Sequence, residues 1–499
     1  MAFLGNHSSL ELLLAASFIL LASLAANGDE IFYEWRVAID TKIKPVSADQ
    51  PVITINGMFP GPLINAPQMT IFMNGIEQRL NSWQDGVSGT NCPIQTWEKL
   101  DLSVSVEGPN WELFLLPFSL FQKSGGGFGP IRVYNRIIIS VPFPKPEAEY
   151  DLLIGDWYPK SYKMLLNGKG PYIDPSTKSY ESFTFTPGKT YRLRISNVGN
   201  VWSFNFRIQN HKMLLVETEG SYTNQITFDS LDVHVGQSYS VLVTADQKAA
   251  DYYIVATPKM VNVDKISSLA AIGVLHYANS TTNATDLFQL VEYDNRSCQA
   301  QPTRNLQVTN VTLSQTFILH GSKAEIDGVS SYTVNDVSYI TPTTPLKLAD
   351  HFGNWSGVFQ LDQFSTNSSN GSPKHGVFVA SGDHKGWIEL VFMNDLDVMD
   401  SWHLDGFGFL LLGDWTNHSR STYNIYDPVV RSTVQVYPKG WTGVYAYLDN
   451  PGMWNLRSQN LRNWYLGQEL YLRVYDADPN PAKERPPPDN LLLCGSTPL

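Results

Sequence analysis

Tyr191-Arg-Leu-Arg-Ile-Ser-Asn197 followed by Val201-Trp-Ser-Phe-Asn-Phe206, and Ile388-Glu-Leu-Val-Phe-Met-Asn394 followed by Ser401-Trp-His-Leu-Asp-Gly406, decide how this chain is read. Each is a strand, an asparagine, a turn and a second strand carrying Trp. Apolar residues alternate with polar ones: Tyr191, Leu193 and Ile195 against Arg192 and Arg194, then Phe204, Phe206 and Ile208 against Asn205 and Arg207. Such alternation places one face of each strand on a core and the other in solvent. Downstream, Asp229-Ser-Leu-Asp-Val-His-Val235 and Asp427-Pro-Val-Val-Arg-Ser-Thr-Val434 take comparable places, so the simplest account is a duplicated β-domain. Elsewhere, short alternating runs are bounded by Gly, Pro, Asn and Asp, and no long helical periodicity appears.

Working outward, 499 residues exceed one ordinary core and point to about three domains. The Pro-rich link Val141-Pro-Phe-Pro-Lys-Pro146 and the polar, sequon-rich stretch near Cys298 set the divisions at 27–145, 146–300 and 301–499. The first third lacks room, between Ile64 and Phe72, for the strand that precedes the Trp segment in the others, so this domain is expected to be shortened. The apolar run Leu12–Ala26 ends in small residues and reads as a secretory signal peptide over 1–26, its length being short for a membrane anchor. No Lys or Arg precedes it.

Net charge is −12, and removing the leader with Glu11 leaves −11, which makes nucleic acid an unsuitable partner. Eight N-x-Ser/Thr sequons, at Asn279, Asn283, Asn295, Asn310, Asn354, Asn367, Asn370 and Asn417, predict glycosylated loops on a secreted chain. With three cysteines, Cys92, Cys298 and Cys494, one stays unpaired or pairs between chains. The tail Leu491-Leu492-Leu493-Cys494 is too short for a removable lipid-anchor signal, so neither a transmembrane segment nor a lipid anchor is expected in the mature chain.

Ile55-Asn-Gly-Met-Phe-Pro-Gly-Pro62, Asn81-Ser-Trp-Gln-Asp-Gly86, Gly155-Asp-Trp-Tyr158, Asn167-Gly-Lys-Gly170 and Asp449-Asn-Pro-Gly452 together make the chain, from about Ile31 to Cys494, resemble the plant multicopper oxidase superfamily. Within it the likeness is to ascorbate oxidase homologues of the skewed-growth (SKU) and pollen-specific type. The resemblance implies an all-β fold of three cupredoxin-like Greek-key β-sandwich domains. It further implies pairing of Cys92 with Cys494, the alternative being two free thiols, and leaves Cys298 without a partner. It also implies a role at the cell wall or plasma-membrane face in directional or tip growth, with an unknown extracellular or wall component as partner.

Copper is implied by the resemblance alone. Such oxidases use two His and a Cys at a mononuclear site and paired His motifs at a trinuclear one, ligands whose softness suits copper. No histidine lies between Asn27 and Asn210. The family's first-domain motifs fall on Phe72-Met73-Asn74-Gly75 and Leu116-Pro117-Phe118. In the third domain His-Pro-Trp-His-Leu-His becomes Asp400-Ser401-Trp402-His403-Leu404-Asp405, and His-Cys-His with its following His becomes Arg457-Ser458-Gln459 and Asn463. Only His403 survives as a ligand position. The expectation is a protein with no metal cofactor and no catalytic residues, the alternatives being an atypical copper oxidoreductase or a wall carbohydrate-binding protein.

A cluster of His403 with Asp400 and Asp405 is disfavoured because an odd offset along a strand puts Asp400 and His403 on opposite faces. His351, His375 and His384 lie in polar stretches that predict solvated rings. Ser124-Gly-Gly-Gly127 lacks the Lys and helix of a phosphate loop. Trp83, Trp111, Trp157 and Trp454 could stack on sugars but are expected in the core.

Overall fold

The computed structural model describes residues 35–45, 51–66, 77–93, 112–115, 123–133, 140–158, 163–170, 180–260, 269–284, 308–353, 356–363, 371–415, 418–478 and 480–496. The leader, Phe72–Asn74, Trp111, Leu116–Phe118, Cys298 and the sequons at Asn295, Asn354, Asn367, Asn370 and Asn417 lie outside these residues.

The duplication read from the sequence is a duplication of strand pairing. Thr190–Asn197 runs antiparallel to Ser238–Thr244 and parallel to Glu149–Trp157. Trp387–Asn394 likewise runs antiparallel to Trp441–Tyr447 and parallel to Leu313–Ile326. In the opposite sheets, Phe204–Ile208 lies between Ser230–Val233 and Asp251–Pro258. Asp400–Leu404 lies between Thr433–Val436 and Gly452–Ser458 in the same way. The asparagine closing each first strand performs one task twice. Asn197 donates to the carbonyls of Trp202 and Val233 and accepts from Gly199 N. Asn394 donates to Val398 and Val436 and accepts from Leu396 N. A short amide that both donates and accepts satisfies the turn's backbone where the ladder ends.

These strands build a five- and a seven-stranded sheet in the second domain and an eight- and a six-stranded sheet in the third, each mixing parallel and antiparallel pairs. The inner faces enclose two cores. One is centred on Leu193, Ile195, Phe204, Phe206 and Phe185, the other on Leu390, Phe392, Trp402, Leu404 and Trp454. In the first domain the described strands are Val37–Asp40 with Val52–Ile55, and Ile64–Ala66, Glu112–Leu115 and Gly129–Val133 in a three-stranded sheet. The stretch on which the expected missing strand turns, Ile64 to Phe72, is described only as far as Ala66.

One expectation is corrected. The alternation Arg192/Arg194 predicts a solvent face, yet both arginines are buried. Arg192 pairs with Glu217 at 2.6 Å and bonds Ser240 Oγ at 2.8 Å, while Arg194 Nε reaches Glu149 Oε2 at 2.9 Å. Phe143, from the Pro-rich link, lies over the Arg192 guanidinium at 5.1 Å. The polar face is thus covered by the linker, with its charges neutralised by neighbouring strands.

Contacts between domains are equally specific. Across the second and third, Gln237 Nε2 donates to Thr433 O and Gln435 Oε1, both at 3.0 Å, and Ser401 Oγ donates to Val235 O at 2.7 Å. Across the first and third, Arg79 meets Asp449 at 2.8 Å and Leu346 N donates to Gly89 O at 2.8 Å. The tail returns to the first domain: Arg485 N donates to Leu80 O, Trp83 Nε1 donates to Arg485 O, and Cys92 is bonded to Cys494.

Candidate functional site

The strands Asp400–Leu404 and Gly452–Ser458 lie side by side, with Trp402 opposite Ser458, His403 opposite Arg457 and Leu404 opposite Leu456. Because faces alternate, Asp400 and Ser458 share the side of the core residues Trp402 and Leu404, and His403, Asp405 and Arg457 share the other. The pairing therefore sorts the third-domain motif residues into two separate clusters.

On the core side, Ser458 Oγ donates to Asp400 Oδ1 at 2.5 Å and accepts from Asn460 N at 3.1 Å. Ser401 N also donates to Asp400 Oδ1, at 2.8 Å. Asn463, on the short helix Leu461–Tyr465, turns its amide toward the same carboxyl. All three side chains are buried. Burial pushes the Asp400 carboxyl up to about 6, against the hydrogen bonds from Ser458 and Ser401 that favour its ionised form.

On the opposite side, His403 Nδ1 donates to Ser432 O at 2.7 Å, which fixes the proton on that nitrogen because a carbonyl only accepts. Its Nε2 lies 3.0 Å from Asp405 Oδ1, close enough for charge contact but off the line of a good hydrogen bond. Asp405 Oδ2 accepts from Arg457 Nη1, and Arg457 Nη1 also donates to Asn455 Oδ1 at 2.8 Å. The guanidinium lies 4.6 Å from the centre of the Trp464 ring. Burial would raise the Asp405 carboxyl, but Arg457 and His403 outweigh it and hold it below the ordinary range. Asp85, from the first domain, is pushed well above that range by burial and by the Asp405 charge. Asp400 and His403 thus stand apart, while His403 and Asp405 come together.

His384 departs from expectation. Its side chain is 8% exposed and bonded through Nδ1 to Asp476, because the C-terminal segment folds over what the sequence suggests is an open loop. His351 and His375 are exposed, His351 packing edge-on against Trp83 at 4.9 Å. Trp83, Trp157 and Trp454 are buried. Asn279, Asn283 and Asn310 are exposed. Lys123, beside the Gly-rich turn, is 2% exposed and its Nζ has no hydrogen-bond partner among the described residues. No described helix is long and apolar enough to cross a membrane, and among the described residues no three His, Cys, Asp or Glu side chains converge as metal ligands.

Sequence profiles of multicopper oxidases match residues 66–137, 146–280 and 343–480. The chain is 38% identical to Monocopper oxidase-like protein SKS1 and 37% to Monocopper oxidase-like protein SKU5, both of Arabidopsis thaliana. These alignments cover 96% and 97% of this chain and 91% and 93% of the relatives. It belongs to the multicopper oxidase family. An L-ascorbate oxidase homolog of Brassica napus is 35% identical over 97% of this chain and 96% of that one. Among solved structures, the multicopper oxidase Fet3p superposes with a TM-score of 0.74 at 19% identity, over 91% of this chain and 92% of that one. The laccase of Botrytis aclada gives 0.70 at 22% identity, over 88% and 87%. These likenesses carry the fold of three cupredoxin domains. The SKS1 alignment runs over 541 positions, more than the 499 residues of this chain, so the relative has stretches that this multicopper oxidase homologue lacks.

Within the family frame, Asp400, Ser458 and Asn463 are the residues at the first His, the Cys and the last His of the third-domain motifs, and the structure brings these three together. They are the mononuclear positions. A carboxyl bonded to a hydroxyl, with an amide beside them, supplies neither imidazole nor thiolate, so the residues do not fit copper there. Arg457 stands at a His position of the other set, and a guanidinium has no lone pair to give a metal. The motif comparison alone records these as losses. It misses that the losses are matched, Ser458 to Asp400 and Arg457 to Asp405. The one signal available was an acid and a base replacing two histidines in strands that pair.

Proposed function

We propose that this protein is a secreted member of the multicopper oxidase family without oxidase activity, acting at the cell wall or plasma-membrane face in directional or tip growth. The observation that carries the reading is the buried Asp400–Ser458–Asn463 cluster, in which Ser458 is hydrogen-bonded to Asp400 at the place where, by the family resemblance, an oxidase takes an electron from its substrate. With no thiolate at Ser458 that first electron transfer has no entry, whatever the first domain contributes. Similarity over nearly the whole chain to the Monocopper oxidase-like proteins SKS1 and SKU5 supports membership of that group, and the growth role is carried over from the family resemblance. Exposure of Asn279, Asn283 and Asn310 is consistent with glycosylation of a secreted chain.

Metal analysis of the purified, secreted protein together with oxygen uptake on ascorbate or a phenol tests the proposal. We expect copper far below one per chain and no uptake above the protein-free rate. Stoichiometric copper with turnover overturns it. Sugar recognition through Trp83, Trp157 or Trp454 is not favoured, since all three rings are buried.

A further inference from the structure

The outer face of the third domain's eight-stranded sheet carries an aromatic cluster with no part in the Asp400–Ser458 site. Alternation along Trp387–Asn394 and Trp441–Tyr447 sends Leu390 and Val444 to the core, so Trp387, Glu389, Tyr445 and Tyr447 point outward. The register sets Trp387 opposite Tyr447, with their rings 4.9 Å apart, and Glu389 opposite Tyr445. Part of this face is covered by the segment 418–425, whose Tyr423 stacks on Trp441 at 5.9 Å in the space that Gly443 leaves without a side chain. Beyond that cover Trp387 and Tyr445 stay half-buried, and Tyr447 is 37% exposed. Polar groups stand beside the rings. The buried Glu389 carboxylate accepts from Thr316 Oγ1 at 2.9 Å and from Arg420 Nε at 3.0 Å, and the Arg420 side chain is 57% exposed. The sequon Asn310-Val311-Thr312 lies between two anchors of this face. Leu313 is the cross-strand partner of Trp387, and Ser314 Oγ donates to Trp387 O at 3.0 Å. Val308 is buried in the cluster with Tyr423 and Trp441, and its N–H donates to Ile425 O at 2.8 Å. Asn310 itself is exposed.

We propose that an N-linked glycan carried by Asn310 folds back on Trp387 and Tyr447 and completes the outer cover of the third domain. The inference rests on the reading of the chain as a secreted glycoprotein. One strand spacing and three residues of chain place the Asn310 Cα within about 16 Å of that of Trp387, a span that a short oligosaccharide on the Asn310 amide covers. A sugar ring offers C–H faces to aromatic side chains and hydroxyl or acetamido groups to a neighbouring guanidinium and hydroxyl, the mixture of surfaces that Trp387, Tyr447, Arg420 and Thr316 present. A purely apolar partner would have to strip water from the Arg420 guanidinium.

Hydroxyl-radical footprinting of the full secreted chain, read by mass spectrometry, tests this with Thr312→Val, which removes the sequon, and Thr312→Ser, which keeps it. In wild type and Thr312→Ser, Asn310 is expected to carry sugar and Trp387 and Tyr447 to be protected. In Thr312→Val both rings are expected to be oxidised several-fold faster, and the thermal unfolding midpoint to fall by about 3 °C. In a Trp387→Ala background the same loss of the sequon is expected to cost nothing further, which separates stacking from a general effect of the glycan. If Thr312→Val is not secreted, enzymatic removal of the glycan from the folded wild type supplies the same footprint comparison. A bare Asn310, equal oxidation of the two rings with and without sugar, or an undiminished midpoint loss in the Trp387→Ala background each overturns the proposal. So does retention of the wild type on insoluble β-glucan that Trp387→Ala abolishes, because the face is then open to a free polysaccharide. Stoichiometric copper with oxygen uptake by the wild type would remove the reading without oxidase activity and leave the footprint of Trp387 and Tyr447 unchanged.

Discussion

Glu219 of the second domain and Arg431 of the third form an ion pair at 2.9 Å with both side chains 3% exposed. The same carboxylate accepts from Ser432 N at 2.7 Å, Ser432 Oγ at 3.0 Å and Thr433 N at 3.1 Å, and Arg431 donates to Tyr239 OH at 2.8 Å. One residue thus organises the turn Arg431–Thr433, which in turn holds His403 through the Ser432 carbonyl. Replacing Glu219→Ala strands a buried arginine and four donors, the fourth being Ser238 N at 3.3 Å. We expect a loss of about 3–5 kcal/mol in urea unfolding, with Glu219→Ala and Arg431→Met together costing clearly less than their sum.

The Asp400–Ser458–Asn463 geometry predicts that copper chemistry can be restored at one place. The triple variant Asp400→His, Ser458→Cys, Asn463→His sets two imidazoles and a thiolate on side chains that already converge. It is expected to bind one copper ion and to show the intense visible absorption of a copper–thiolate bond, which the parent lacks. Titration with copper(II) under a visible scan checks this. A colourless triple variant that folds normally would mean that these three positions do not form a mononuclear site.

The carboxyls of Asp400 and Glu469 favour the folded state at acid pH. Burial raises Asp400 to about 6 and Glu469 to about 7, so the folded protein keeps protons that the unfolded chain releases nearer 3.8 and 4.5. Their contribution is present below those lower values and is lost as pH rises through 6 to 7. Asp405 is lowered and acts in the opposite sense, its contribution being present above 3.8 and lost as pH falls further. Buried His234, held down to about 3, opposes Asp400 and Glu469 as pH falls below 6.5, so the prediction is differential: the midpoint of Asp400→Asn relative to wild type should rise between about pH 4 and pH 7. A difference that stays constant over that range would contradict the Asp400 assignment.

The bond between Cys92 and Cys494 joins residues 402 apart in sequence. Chain-entropy reasoning puts the effect of so long a closure at about 6 kcal/mol. Cys494→Ser is expected to lower stability measurably and to make reducing agent without further effect. Denaturant curves with and without dithiothreitol compare the two forms.

The duplicated strand–Asn–turn–strand pattern was legible because it is local: periodicity places the strands, and a short amide at Asn197 or Asn394 has only the turn to bond. The separation of Asp400 from His403 was legible for the same reason, since parity along one strand decides it. Burial of Arg192 and Arg194 was not, because their neutralising partners Glu217 and Glu149 arrive from other strands and their cover, Phe143, from a linker. The pairing of Arg457 with Asp405 was hidden likewise. Each residue reads alone as a lost ligand, and only the register that sets His403 opposite Arg457 makes the two substitutions one arrangement.

The returning tail has a consequence for biosynthesis. Leu80 and Trp83 are held by Arg485, and Cys92 by Cys494. Both partners leave the ribosome long after the residues they hold, Cys494 following Cys92 by 402 positions. The first domain is thus secured only once that later segment has been made, and until then Cys92 waits without Cys494. That interval is when oxidative folding helpers have access to it.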